Sequence, residues 1–178
     1  MDTKTHVAAS GAAAIPMAPS WRLVYLAIAA GVFVADRLTK ILIESTFPLY
    51  SARSVVPGFF QIVHVTNEGM AFGLFNDSPS TLKTTLLIVA SAVALAAVIY
   101  MLWTAAPGSR LQPAALSLIL GGAAGNLFDR VRQGSVVDFL DFYVGDLHWP
   151  AFNLADSAIV IGGALLLLHL ARHPRPHR

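Results

Sequence analysis

No cysteine occurs in the 178 residues of this chain. That absence removes disulfides, thiolate nucleophiles and cysteine-held metals. Charge is scarce too: 12% of residues are Asp, Glu, Lys or Arg, against about 25% in a soluble domain. Hydrophobic residues make up 56%, more apolar surface than water tolerates. The formal net charge is only +2 and the basic residues form no stripe, so nucleic acid is excluded as a partner. Motifs are missing as well. There is no H-E-x-x-H zinc helix and no G-x-S-x-G nucleophile elbow. The six histidines (His6, His64, His148, His169, His173 and His177) are scattered.

What the chain does have is four long apolar stretches, at about residues 21–43, 82–103, 113–128 and 152–170. Each approaches the roughly 20 residues a membrane span requires. The first is expected to be a retained span rather than a cleaved leader: its apolar run breaks at Phe33-Val34-Ala35-Asp36, with Phe33 where a cleavage site needs a small residue, and it continues past its charges into Ile41-Leu42-Ile43. Residues 1–20 are Ala-rich and polar and are expected to form a disordered tail. With four spans, Lys4, Arg22, Arg110, Arg172, Arg175 and Arg178 share one side, which the positive-inside rule makes cytoplasmic. Both termini are then cytoplasmic. Arg53, Lys83 and Arg132 fall on the opposite side, within outer segments at about residues 44–81 and 131–151.

The first outer segment carries a β-rich run at residues 54–65, with a Pro57-Gly58 turn signal. A hairpin or half-sheet on the membrane surface is predicted there. The third stretch contains Gly121-Gly122-Ala123-Ala124-Gly125, small residues that let helix backbones approach closely.

Five polar clusters interrupt this background, and all map to the outer interface. Asp36 and Lys40 stand four apart, the spacing of a helical ion pair. Asn67-Glu68-Gly69 reads as a turn, or as an amide that binds an extended peptide. Asn126 and Arg130 share a helical face, with Asp129 between them needing a cation to offset the helix C-terminus. They lock helices together, hold a ligand's carbonyls or head group, or do both. Asn153 and Asp156 have the spacing of a helix cap. Asp138 has no such structural reason. It lies between Val136-Val137 and Phe139-Leu140, where an apolar setting raises a carboxyl's pKa. A second carboxylate nearby would make the two share a proton, the state in which one activates water and the other serves the carbonyl.

These blocks carry a family resemblance. Asp36-Arg37-Leu38-Thr39-Lys40, Asn67-Glu68-Gly69-Met70-Ala71-Phe72, Gly125-Asn126-Leu127-Phe128-Asp129-Arg130, Val136-Val137-Asp138-Phe139 and Phe152-Asn153-Leu154-Ala155-Asp156 stand in order over about residues 24–170. The chain resembles lipoprotein signal peptidase (signal peptidase II), the bacterial prolipoprotein-processing aspartic proteases. The resemblance implies a membrane all-α fold: four transmembrane helices, a small extracytoplasmic β-cradle and a mobile helix or loop from the second outer segment. The peptidase domain then covers 21–171, followed by a basic cytoplasmic tail at 172–178. It implies Asp138 and Asp156 as the catalytic dyad, and Asn67, Gly69, Asn126, Arg130 and Asn153 as substrate-binding residues. Asp36, Lys40 and Asp129 become structural polar residues. The implied substrate is a diacylglyceryl-modified prolipoprotein cut N-terminal to its lipidated cysteine at the outer face of the bacterial inner membrane. A monomer in membrane lipid suffices, with no metal and no organic cofactor.

Two other classes compete. An ion-coupled carrier would use its carboxylates as a proton relay, but such sites lie near the bilayer midplane, often between repeats. A structural subunit would use polar residues only to lock helices, leaving two apolar-flanked aspartates on separate segments unexplained.

Overall fold

A computed structural model describes residues 21–69, 80–105 and 110–172. The elements in chain order are α1 (Trp21–Thr46), β1 (Ala52–Val56), β2 (Phe60–Asn67), α2 (Ser80–Thr104), α3 (Leu111–Gln133), β3 (Val136–Val144), β4 (Leu147–His148) and α4 (Leu154–Arg172). The expected tail at 1–20 and the block residues Met70-Ala71-Phe72 lie outside the described residues; of the expected tail at 172–178, Arg172 instead ends α4 and the rest lies outside them.

Three helices are long and apolar enough to cross a membrane: Thr81–Thr104, Leu111–Gln133 and Leu154–Arg172. Helix α1 has 26 residues, or about 39 Å, but carries Asp36, Arg37 and Lys40. All three are buried, so the charges in the middle of the helix face protein. Helix α2 instead exposes Leu82, Leu86, Val89, Val93 and Ile99, as a helix surrounded by lipid does.

Helix α3 is the centre, packing against α1, α2 and α4. Its glycines set the spacing. A Cβ on Gly121 would lie 2.5 Å from the Ala29 carbonyl oxygen, and one on Gly125 would lie 2.5 Å from Asp36 Oδ2. The helix runs past Phe128 to Gln133, so Asp129 and Arg130 belong to it. It ends at Gly134, whose φ of 80° is left-handed and whose N–H caps the Arg130 carbonyl. That turn sends the chain straight into β3.

The strands form one antiparallel sheet in the order β1-β2-β3-β4. The predicted hairpin at Pro57-Gly58 is present as β1–β2. The second outer segment differs from expectation: it forms β3 and β4 rather than a mobile helix. Its Val136-Val137 and Phe142-Tyr143-Val144 favour strand, and β2 supplies an edge to pair with. Asp138 therefore sits on a strand, opposite Val65, past an irregularity between Ile62 and Val65. Ile43, Val137 and Phe139 form a small core with Phe47, Ile62, Leu140 and Leu154, which seats the sheet on the ends of α1 and α4.

Candidate active site

Two features bring β3 and α4 together. Phe152 N donates to the Leu140 carbonyl at 3.0 Å, and Leu140 N donates back at 2.8 Å. This bridge lays the entry to α4 along β3. Asn153 then caps α4: its Oδ1 accepts from Asp156 N at 2.9 Å, while Asp156 Oδ2 accepts from Asn153 N at 3.2 Å. The cap expected from the Asn153–Asp156 spacing is present, but it occupies only one oxygen of Asp156. The other, Oδ1, accepts from Asn126 Nδ2 at 2.7 Å.

Asp138 is held in a similar way. Its Oδ1 accepts from Asn153 Nδ2 at 2.7 Å, and its Oδ2 accepts from Asn67 Nδ2 at 3.0 Å. Asn153 thus touches both aspartates, through its side chain to Asp138 and through its backbone to Asp156. Asp138 is 2% exposed. Burial, and then the negative charge of Asp156, push its pKa up to about 6, although the Asn67 and Asn153 amides and the Lys40 charge pull the other way. The two carboxyls therefore sense each other, the condition for sharing a proton.

Behind them lies a neutral cluster of two anions and two cations. Lys40 Nζ reaches Asp36 Oδ2 at 2.8 Å, Asp129 Oδ2 at 2.7 Å and Asn126 Oδ1 at 3.0 Å. These use all three ammonium donors. Arg37 pairs with the other oxygen of Asp129 and stacks on Phe128, 4.8 Å from the ring centroid. Asp36 Oδ1 accepts from Ala155 N at 3.0 Å, tying α1 to the first turn of α4. The expected Asp36–Lys40 pair is present. Asp129, however, takes its cations from α1 rather than from neighbouring Arg130, because α3 turns Asp129 towards α1.

The cluster reaches the aspartates through Asn126. Its Oδ1 accepts from Lys40 and from Asn153 Nδ2 at 3.3 Å, so only its NH2 is left to face Asp156. Asn67 is oriented in the same manner. Its Oδ1 accepts from Gly69 N at 2.8 Å, which turns its donor to Asp138. Arg130 is half-buried behind Asn126, bonded only weakly to the Asn126 carbonyl at 3.5 Å. Its Nε has no partner among the described residues.

All ten residues singled out from the sequence thus lie in or beside one network. Sequence reasoning missed Arg37 and Phe152. The signal for Arg37 was present: a third charge on α1, adjacent to a residue already chosen. Phe152 carried none, since it acts through its backbone.

Two carboxyls on separate elements, linked through Asn153 and oriented by amides beside an apolar helical body, fit the class of membrane aspartic peptidases. The model of the family described as Signal peptidase (SPase) II matches residues 28–172. A lipoprotein signal peptidase of Solibacter usitatus is 49% identical over 157 residues, spanning 88% of this chain and 96% of that protein. One from Nitratidesulfovibrio vulgaris is 43% identical, spanning 87% and 93% respectively. A bacterial membrane enzyme solved by the in meso method at 2.3 Å superposes with a TM-score of 0.74 at 30% identity, covering 87% of this chain and 93% of that one. The chain belongs to the signal peptidase II family. Its apolar helices and this membership make it an integral membrane protein, and the carrier alternative finds no support.

Proposed function

We propose that this chain removes signal peptides from diacylglyceryl-modified prolipoproteins with Asp138 and Asp156 as its catalytic pair. The supporting observation is their joint wiring: two aspartates on β3 and α4, bridged by Asn153, with Asp138 pushed up to about 6 by burial and by Asp156. Asp138 holds the shared proton. Asp156, at the positive end of α4 with both oxygens hydrogen-bonded, is the base.

Asp156 takes a proton from water as the water oxygen attacks the scissile carbonyl carbon, and Asp138 gives its proton to the carbonyl oxygen. On collapse, the C–N bond breaks. Asp156 returns its proton to the nitrogen of the lipidated cysteine, and Asp138 recovers one from the diol. Asn67, Gly69, Asn126, Arg130 and Asn153 line the substrate's path, with the uncommitted donors of Arg130 suited to its backbone carbonyls. Asp36, Lys40 and Asp129 hold the scaffold. The substrate is a membrane helix with a lipid anchor, so it arrives already oriented.

In this reading α1 is the fourth span, because its mid-helix charges Asp36, Arg37 and Lys40 are turned inward. The termini are cytoplasmic, the aspartates face outward across the inner membrane, the sheet forms the cradle, and a monomer is sufficient. The test is cleavage of a lipidated prolipoprotein by purified protein. Asp138→Asn and Asp156→Asn should each abolish it while remaining folded. Substantial residual cleavage removes that residue from the pair.

A further inference from the structure

The end of the helical body opposite the aspartates has its own cluster. Arg22, in the first turn of α1, lies between two indoles, 5.2 Å from the Trp21 centroid and 4.9 Å from that of Trp103. Its Nη2 donates to the Trp103 carbonyl at the end of α2 at 3.0 Å. Its buried Nε has no partner among the described residues. Tyr25 donates to the Arg110 carbonyl at 3.3 Å, which brings a second guanidinium to the same end.

Beneath Arg22 is a cavity of about 230 Å³ lined otherwise by Leu26, Ile99, Leu102, Trp103 and Leu120. Apolar cavities of this order stay dry and accept apolar guests. Among the described residues, neither Arg22 nor Arg110 has a carboxylate partner. The described acids gather at the other end. Asp36, the acid nearest to Arg22 along α1, is fourteen residues away, or about 21 Å. An apolar slot under a guanidinium that has no carboxylate partner among the described residues matches an amphiphile with an anionic head.

We propose that the cleft between α1, α2 and α3 binds an anionic phospholipid of the bilayer, its phosphate on Arg22 with Arg110 nearby and an acyl chain in the Leu26–Leu102–Leu120 cavity. Basic pockets between spans recognise such head groups by charge, and the chain adds apolar contact. The site depends on the protein being in a membrane, not on which residues catalyse.

The test uses the full chain with Trp149→Phe, which leaves Trp21 and Trp103 as reporters at the cleft. The protein is placed in phosphatidylcholine vesicles doped with dibrominated phosphatidylglycerol or dibrominated phosphatidylcholine. Bromine on the anionic lipid should quench at about five-fold lower mole fraction. Arg22→Lys should keep this preference and Arg22→Gln should lose it, with helical circular dichroism unchanged. Equal quenching by the two lipids in the parent, or a preference that survives Arg22→Gln, overturns the proposal. Leu102→Phe keeps the guanidinium but fills the cavity and should weaken quenching by the brominated anionic lipid. If quenching is unchanged in that variant, no chain occupies the cavity and the site is refuted.

Discussion

Replacing Asn67 with alanine probes how the aspartate pair is tuned. The Asn67 amide donates to Asp138 Oδ2 at 3.0 Å, and Gly69 N holds the amide in that orientation. A donor favours the ionised carboxylate. It therefore opposes the burial and the Asp156 charge that push Asp138 up to about 6. A hydrogen bond to a charged group contributes roughly 1.5–3 kcal/mol. Asn67 stands at the exposed end of β2, so water replaces part of the lost bond. The low end, about 1.5 kcal/mol, corresponds to about one pH unit. Without the donor, Asp138 keeps its proton to higher pH. The proposed mechanism needs that proton, so kcat/KM should fall as Asp138 ionises. The midpoint of its alkaline limb should move from about 6 in the parent to about 7 in Asn67→Ala. The assay is kcat/KM for a lipidated prolipoprotein across roughly pH 4 to 9. In the proposed mechanism Asn67 also lines the substrate's path, so the plateau should fall as well. A lower plateau with an unmoved or lowered midpoint would refute the tuning argument.

Asp138 also makes stability depend on pH. Its folded pKa of about 6 lies above the ordinary 3.8, so its contribution is complete below the lower value and is lost as pH rises through the upper one. The loss amounts to about 3 kcal/mol. Asp138→Asn should therefore melt higher than the parent above about pH 7, by about 2 kcal/mol once one mismatched hydrogen bond is deducted, and show no advantage below about pH 4. An unchanged melting profile would contradict this. Lys40→Met strands Asp36 and Asp129 without their shared cation and should cost about 3–5 kcal/mol, seen as lost yield of folded protein. Asp36→Asn should act through the same cluster, by stability; a fully stable but inactive variant would place Asp36 in the chemistry instead. Gly125→Ala should cost about 1–3 kcal/mol, because its Cβ would stand 2.5 Å from Asp36 Oδ2, whereas Gly163→Ala, with nothing within 4 Å, should melt like the parent.

Much of the architecture is legible in the sequence because its causes are local. Lipid demands long apolar helices, and residues 82–103 and 152–170 announce two of them within a few residues of their ends. Spacing of four sets Asp36 against Lys40, and spacing of three lets Asn153 and Asp156 cap a helix. Other features are not local. Within residues 131–151, Val136-Val137 and Phe142-Tyr143-Val144 lean towards strand, but that local preference becomes a sheet only because β2 is there to pair with it. Asp129 has Arg130 beside it in sequence, but α3 turns it to Arg37 and Lys40 on α1.

The sequence by itself therefore determined a membrane protein, the polar blocks that carry its family resemblance, and the family it belongs to. Only the tertiary structure decided how those aspartates are held. Asn126 turns its donor to Asp156 because Lys40 and Asn153 occupy its oxygen. Asn153 reaches Asp138 because the Leu140–Phe152 bridge lays α4 along β3. Asp138 is raised because that packing buries it beside a second charge. Each of these is a contact between residues far apart in the chain, and the cost of burying a carboxyl depends on what finally surrounds it.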